Sequence, residues 1–161
     1  MCIDQTKQHC RTKRRRQWFL WGSDPSIPVS GSRKWTQLLG AISEDGGQFV
    51  ARSDEALTQD HAIHFLGAIR DEFDRQLLIV LDNASYFTAK RVQAFADDCE
   101  DIELLYLLPY SPGLNPAEEC WRQLSDRLGN RLFRTLPELK AAIQRALRAI
   151  SPPDVCNYLC P

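Results

Sequence analysis

The sequence predicts an α/β domain built on a mixed sheet, with three antiparallel strands first, parallel strands after them, and helices flanking the sheet. Three observations carry this prediction. Glu44-Asp45-Gly46-Gly47 is a hairpin signal between two strand-like runs. Gln76 to Leu81 and Ile102 to Leu108 are nearly continuous apolar runs, as expected of strands covered on both faces. Helical stripes lie between and after those runs, and strands that alternate with helices imply parallel pairing.

The elements follow in order. Trp18 to Trp21 is bulky and strand-like, and a Ser, Pro and Gly-rich loop covers residues 22–31. Lys34 to Ser43 and Gln48 to Arg52 form the two arms of the hairpin. Thr58 is a helix cap, followed by apolar residues at Ala62, Phe65, Leu66, Ile69 and Phe73 with helical spacing. The strand Gln76 to Leu81 ends at Asp82, a second helix covers Ala89 to Asp98, and Ile102 to Leu108 is the next strand. Asn115 caps a further helix with Pro116 in its first position. Thr135 and Glu138 open the last helix, whose stripe is Leu139, Ala142, Ile143, Ala146, Leu147 and Ile150. The expected order is β-β-β-α-β-α-β-α-α.

Composition narrows the class. A chain of 161 residues, 43% hydrophobic, is expected to form one domain over 1–161. No apolar run is long enough to cross a membrane, and Met1 to Arg16 lacks a signal-peptide core, so a cytoplasmic protein is expected. The six cysteines lack zinc-type CxxC spacing and read as reduced, structural thiols. A net charge of −1 gives no global pull on nucleic acid. Locally, Lys7 to Arg16 holds six cations and no acid. That stretch is either a solvated arm or a surface that tracks phosphates, with Arg11, Lys13, Arg14, Arg15 and Arg16 as contacts and Arg33 and Lys34 beside them. The four tryptophans, Trp18, Trp21, Trp35 and Trp121, read as core or sheet-face residues. His61 and His64 read as surface residues of their helix.

Functional groups of open α/β sheets collect beyond the carboxyl ends of strands. Asp82 and the 108–118 loop occupy two such ends. Either can be read as purely structural: Asp82 as a turn residue, Glu118 and Glu119 as acids suited to a helix N-terminus. Helix geometry separates the two glutamates. Glu118 lies roughly 105° from the centre of the stripe Ala117, Cys120, Trp121, Leu124 and Leu128, whereas Glu119 lies roughly 155° away, towards solvent. A third acid, Asp4, stands where a first strand would have to be, although little chain precedes it.

Leu81-Asp82-Asn83-Ala84, Pro109-Tyr110-Ser111-Pro112, Leu114-Asn115-Pro116, Glu118 and Trp121 together resemble the catalytic signature of the DDE-class transposases, in particular the mariner-like group and its prokaryotic insertion-sequence relatives. The 35 residues between Asp82 and Glu118 agree with that group, and the likeness runs from Asp4 through Ser30 to Trp35 and Leu39-Gly40-Ala41 to the end of the chain. Gln5 and Phe87 depart from it, standing where the group commonly has an acid and a histidine. The resemblance implies a ribonuclease-H-like catalytic domain without its upstream helix-turn-helix part. It also implies Asp4, Asp82 and Glu118 as ligands of two Mg²⁺ or Mn²⁺ ions, Asp82 bridging them, for cleavage and strand transfer of DNA. DNA ends and target are the implied partners, a homodimer the implied assembly and the nucleoid the implied location. Hard cations suit this donor set, because they take oxygen ligands and keep several waters. An inactive remnant, a non-catalytic DNA-binding or dimerising fragment and a general metal-dependent nuclease are the competing readings.

Overall fold

The computed structural model describes residues 1–109 and 112–159. Eight residues, Cys2–His9, form β1, which pairs antiparallel with β2 (Trp35–Ile42), itself paired antiparallel with β3 (Gln48–Ser53). After α1 (Gln59–Phe73) the chain returns as β4 (Leu77–Leu81), parallel to β1, and after α2 (Lys90–Asp97) as β5 (Ile102–Tyr106), parallel to β4. The sheet order is β3-β2-β1-β4-β5. A turn of 3₁₀ helix at Pro112–Leu114 leads into α3 (Ala117–Leu128), then α4 (Leu136–Leu147) and the short α5 (Cys156–Leu159).

Side-chain alternation along β1 divides the molecule into two apolar layers. Ile3 joins Leu39, Ala41, Ile79 and Leu81 beneath α1 and α2. Cys2 joins Leu38, Ile42 and Val80 beneath α3 and α4, with Trp121, Leu124, Leu139 and Ile143. Cys2, Cys10, Cys99 and Cys120 are buried free thiols and Cys156 is an exposed one, while Cys160 lies outside the described residues. Among the described residues no helix is long and apolar enough to cross a membrane.

Three expectations need correction. Trp18 to Trp21 is not a strand: both tryptophans are fully exposed, at 102% and 103%, on the long β1–β2 connection, and neither is a core residue. The third antiparallel strand is β1 itself. It extends forward from Asp4 through polar residues whose pattern resembles a solvated arm, and pairing along the whole of β2 holds it in place. The β4 and β5 strands are only partly covered on the α3 side: Val80 is buried there, but Leu78 and Leu105 are each about half exposed.

Candidate active site

The parallel register sets Cys2 beside Val80, so two residues further along each strand Asp4 stands level with Asp82, the first residue beyond β4. Asp82 lies just beyond the carboxyl end of β4, and Asp4, inside the longer β1, stands beside that end. Asp82 accepts a hydrogen bond from the Ala84 amide (3.1 Å), and the Asn83 side chain donates to Leu107 O (2.7 Å), which ties this turn to the chain beyond β5. The turn role and the site role of Asp82 are therefore compatible.

Glu118 arrives from the other side. The buried Asn115 donates to Ile3 O (3.0 Å) and accepts from the Ala117 amide (3.1 Å), so one side chain both caps α3 and fastens its head to β1 next to Asp4. Pro116 already has helical backbone angles, φ −61° and ψ −22°, as expected of a first-turn proline. Glu118 is exposed and Glu119 half-buried, the reverse of the expected order, which set Glu118 at the flank of the buried face and Glu119 towards solvent. The two acids are nevertheless told apart. The Glu118 charge acts on Asp4, whereas Glu119 is taken up by Arg122 (2.5 and 2.7 Å) and Gln123 (3.2 Å), which hold its carboxyl below the usual range.

Asp4 is the unusual member, at 6% exposure. Burial pushes its carboxyl up to about 7; the Gln5 amide opposes this, the charges of Glu118 and Asp82 add to it, and the Trp121 indole opposes it. Across the β1–β2 ladder Asp4 faces Gly40, and the Trp121 ring fills the place of the missing side chain. A Cβ on Gly40 would stand 2.5 Å from Trp121 Cη2, so only glycine lets the ring roof Asp4. The Trp121 indole comes near enough to Asp4 to act on its carboxyl but falls short of hydrogen-bond geometry, so Asp4 Oδ2 and Trp121 Nε1, both buried, are each left without a full partner.

An unpartnered buried carboxylate oxygen beside the end of β4, with two more carboxylates near enough for their charges to act on it, is a donor set that fits hard divalent cations. Among the described residues no three Asp, Glu, His or Cys side chains converge tightly enough to enclose one ion. A two-ion site does not require such a cage, because each ion takes one or two carboxylates and completes its shell with water.

Along the last residues of β1 and the chain beyond it runs a groove of about 700 Å³ lined by Lys7, His9, Arg11, Lys13 and Arg14, with Leu128 and Phe133 among its apolar lining. The Cys10 amide donates to Lys34 O (2.9 Å), which carries Lys34 and Arg33 alongside the basic stretch. Asn130, at φ 56°, grips this stretch: its amide donates to Lys13 O (2.9 Å) and its side chain exchanges two bonds with the Arg15 backbone (2.8 Å each). Lys13 Nζ donates to Ser125 Oγ (3.2 Å), and Arg15 Nε is 3.4 Å from Asp126. The basic residues through Arg15 are thus a fixed wall. Burial and the neighbouring Lys7, Arg11 and Lys13 hold His9 below its ordinary pKa.

His61 is absorbed by the α1 cap, where it bonds Thr58, and His64 lies on the same helix away from the acids. The sequence read Trp121 as a core or sheet-face residue and singled out neither Gly40 as the place its ring fills nor Asn130 as the anchor of the basic stretch. A glycine inside a strand pattern was the one available signal, since such a glycine marks close approach of another group.

A sheet ordered 3-2-1-4-5, with β1 antiparallel to β2 and parallel to β4, and with acids inside β1, just beyond β4 and at the head of α3, defines the ribonuclease-H-like class. Within it the chain belongs to the DDE superfamily endonucleases, whose family model matches residues 1–140. The chain is 24% identical over 110 residues to the uncharacterized protein y4pE/y4sA of Sinorhizobium fredii, covering 65% of this chain and 77% of that one. It is 20% identical over 152 residues to the insertion element IS630 uncharacterized 39 kDa protein of Shigella sonnei, covering 92% of this chain and 44% of that protein. Its fold matches the Mos1 transposase paired-end complex with left transposon end at a TM-score of 0.71, with 18% identity over 98% of this chain and 50% of that one. Mos1 paired-end complexes with Mn and with Mg match at 0.70. The chain therefore spans about half the length of the Mos1 transposase and less than half of the IS630 protein.

Proposed function

We propose that this chain is the catalytic domain of an insertion-sequence transposase that cleaves DNA strands and transfers the freed 3′ ends to target DNA. The observation that supports this reading is the buried Asp4, one of whose oxygens has no partner and whose carboxyl feels the charges of both Asp82 and Glu118, residues from two other chain segments.

Asp4, Asp82 and Glu118 would hold two Mg²⁺ or Mn²⁺ ions. When bound, these supply a lowered water pKa and neutralise charge on the phosphoryl group. The protein supplies placement. Asn115 and the Asp82 turn fix two of the carboxylates, and Trp121 keeps water from Asp4. The basic groove, with Arg11, Lys13 and Arg14 foremost and Arg33 and Lys34 alongside, is suited to hold the DNA backbone by charge. A homodimer, one copy for each DNA end, and a nucleoid location belong to the same proposal.

The test is strand cleavage of DNA carrying the element's ends by purified protein in Mg²⁺ or Mn²⁺. Wild type is expected to nick at the element boundary, with Asp82→Asn and Glu118→Gln at least about a hundredfold slower, a loss typical of removing a group that stabilises transition-state charge. Equal cleavage by all three proteins would overturn the site. Tight DNA binding without cleavage by any of them would instead favour a non-catalytic DNA-binding fragment, a role the basic groove could fill without the acids.

A further inference from the structure

Among the described residues five buried polar side-chain atoms have no hydrogen-bond partner; besides Asp4 Oδ2 they include Trp121 Nε1, on the ring that fills the place beside Gly40, and Tyr86 OH, on the turn that follows Asp82 and within reach of the charges of Asp82 and Asp4. A buried hydroxyl without an acceptor costs about 1–3 kcal/mol, so sites of this kind call for an explanation. Tyr86 lies four residues beyond Asp82, on the turn in which the Phe87 amide bonds Ala84 O (2.9 Å). Its ring stacks at a tilt on Phe87, centroids 4.7 Å apart, and Phe87 is fully buried, so the side chain is anchored from behind.

We propose that Tyr86 is a further substrate-contacting residue, whose hydroxyl donates a hydrogen bond to a non-bridging oxygen of the phosphodiester seated at Asp4, Asp82 and Glu118. This rests on the reading of the chain as a DNA-cleaving enzyme. Two physical arguments support it. First, burial, then the charges of Asp82 and Asp4, push the phenol well above its ordinary pKa, so it keeps its proton and can donate but cannot serve as a base. Second, the substrate brings to this corner an acceptor that the protein lacks: Asp4 Oδ2 and Tyr86 OH are both buried here, yet they do not bond to each other. A neutral donor is also suited to a place already crowded with carboxylates, because it meets the negative phosphoryl oxygen without competing for cations. No proton is transferred and no bond is made or broken at Tyr86; the hydroxyl positions the phosphoryl group and stabilises its charge.

Tyr86→Phe removes only the hydroxyl and tests the assignment in three measurements. With a short DNA duplex in Ca²⁺, the variant is expected to bind about fivefold more weakly, the worth of one ordinary hydrogen bond. Cleavage in Mg²⁺ is expected to fall about a hundredfold, as for loss of one preorganised donor. Mn²⁺ affinity in the absence of DNA is expected to be unchanged, and the melting temperature is expected to rise rather than fall, because the variant sheds a buried hydroxyl that has no acceptor. Duplex affinity and cleavage equal to wild type would overturn the inference and leave the function standing. A parallel loss of Mn²⁺ affinity would overturn it in favour of a hydroxyl that serves the carboxylates. Wild-type protein that binds neither Mn²⁺ nor duplex would overturn the proposed function and this inference with it. If wild type binds without cleaving, the duplex affinities alone decide.

Discussion

Asp4 shows most clearly what a single residue does in this fold. Its folded-state pKa of about 7 lies above the ordinary 3.8, so the folded protein binds the proton more tightly than the unfolded chain. The contribution to stability is therefore fully present below about pH 4 and is lost as pH rises through about 7, a change of about 4 kcal/mol. Exposed acids held low by partners, such as Asp45, Asp54 and Asp101, act in the opposite direction at lower pH, so the comparison must be with a variant. Melting temperatures of metal-free wild type and Asp4→Asn, measured from pH 4.5 to 8, should diverge, with wild type losing stability across neutrality relative to the variant, whose amide carries no charge at any of these pH values. Added Mg²⁺ or Mn²⁺ at pH 8 should restore wild type and leave Asp4→Asn unmoved. The sequence made Asp4 visible only through the family resemblance, because nothing local distinguishes an acid in Cys-Ile-Asp-Gln from any other. Helix geometry set Glu118 nearer the buried face than Glu119, and the structure reverses that order, because Arg122 and Gln123 fold over Glu119 and leave Glu118 the more exposed of the two.

At the scale of elements, α3 against β1 and β2 is the joint that makes the site. Asn115 joins helix cap and strand, so Asn115→Ala should cost about 1–2 kcal/mol, the worth of a cap plus a buried bond, read by urea unfolding. It should also slow cleavage, since Glu118 is placed by that helix head. Gly40 is the other half of the joint. Gly40→Ala would force its methyl group against the Trp121 ring, and overpacking of this kind costs about 1–3 kcal/mol. Pairing it with Trp121→Leu should recover much of that loss in the same unfolding assay; equal losses in the single and double variants would show that the ring is not what Gly40 accommodates. The hairpin, α1, β4, α2, β5 and α4 were readable from apolar period and caps, with ends within about two residues of those observed. The first strand was not, because β1 pairs on both sides while carrying Gln5, Thr6, Lys7 and Gln8, and sheet pairing overrides a polar local pattern.

Across the whole molecule, charge is arranged so that a nearly neutral chain presents two opposite surfaces side by side. Three acids gather beside the end of β4, and the basic wall of β1 and the following stretch begins three residues beyond Asp4 at Lys7. Composition could not show this, since 20 cations and 21 acids sum to −1 whatever their placement. The six-cation run was visible in sequence, but its rigidity comes from Asn130 and Ser125, more than a hundred residues away. A fixed wall has a measurable signature. Each cation that neutralises a phosphate releases counterions, so the logarithm of DNA affinity should fall linearly with the logarithm of salt, with a slope of about −0.9 per contact. Arg11→Gln and Arg14→Gln should each make that slope shallower by about one and weaken binding on unrelated DNA sequences alike, because backbone contacts carry no base information. Arg15→Gln should leave the slope nearly unchanged, as Arg15 already faces Asp126, and should instead loosen the attachment of the wall to α3. Fluorescence anisotropy titrations from 50 to 300 mM salt, roughly the range over which such contacts dominate, separate the two behaviours. A common slope for all four proteins would mean that DNA does not follow this groove.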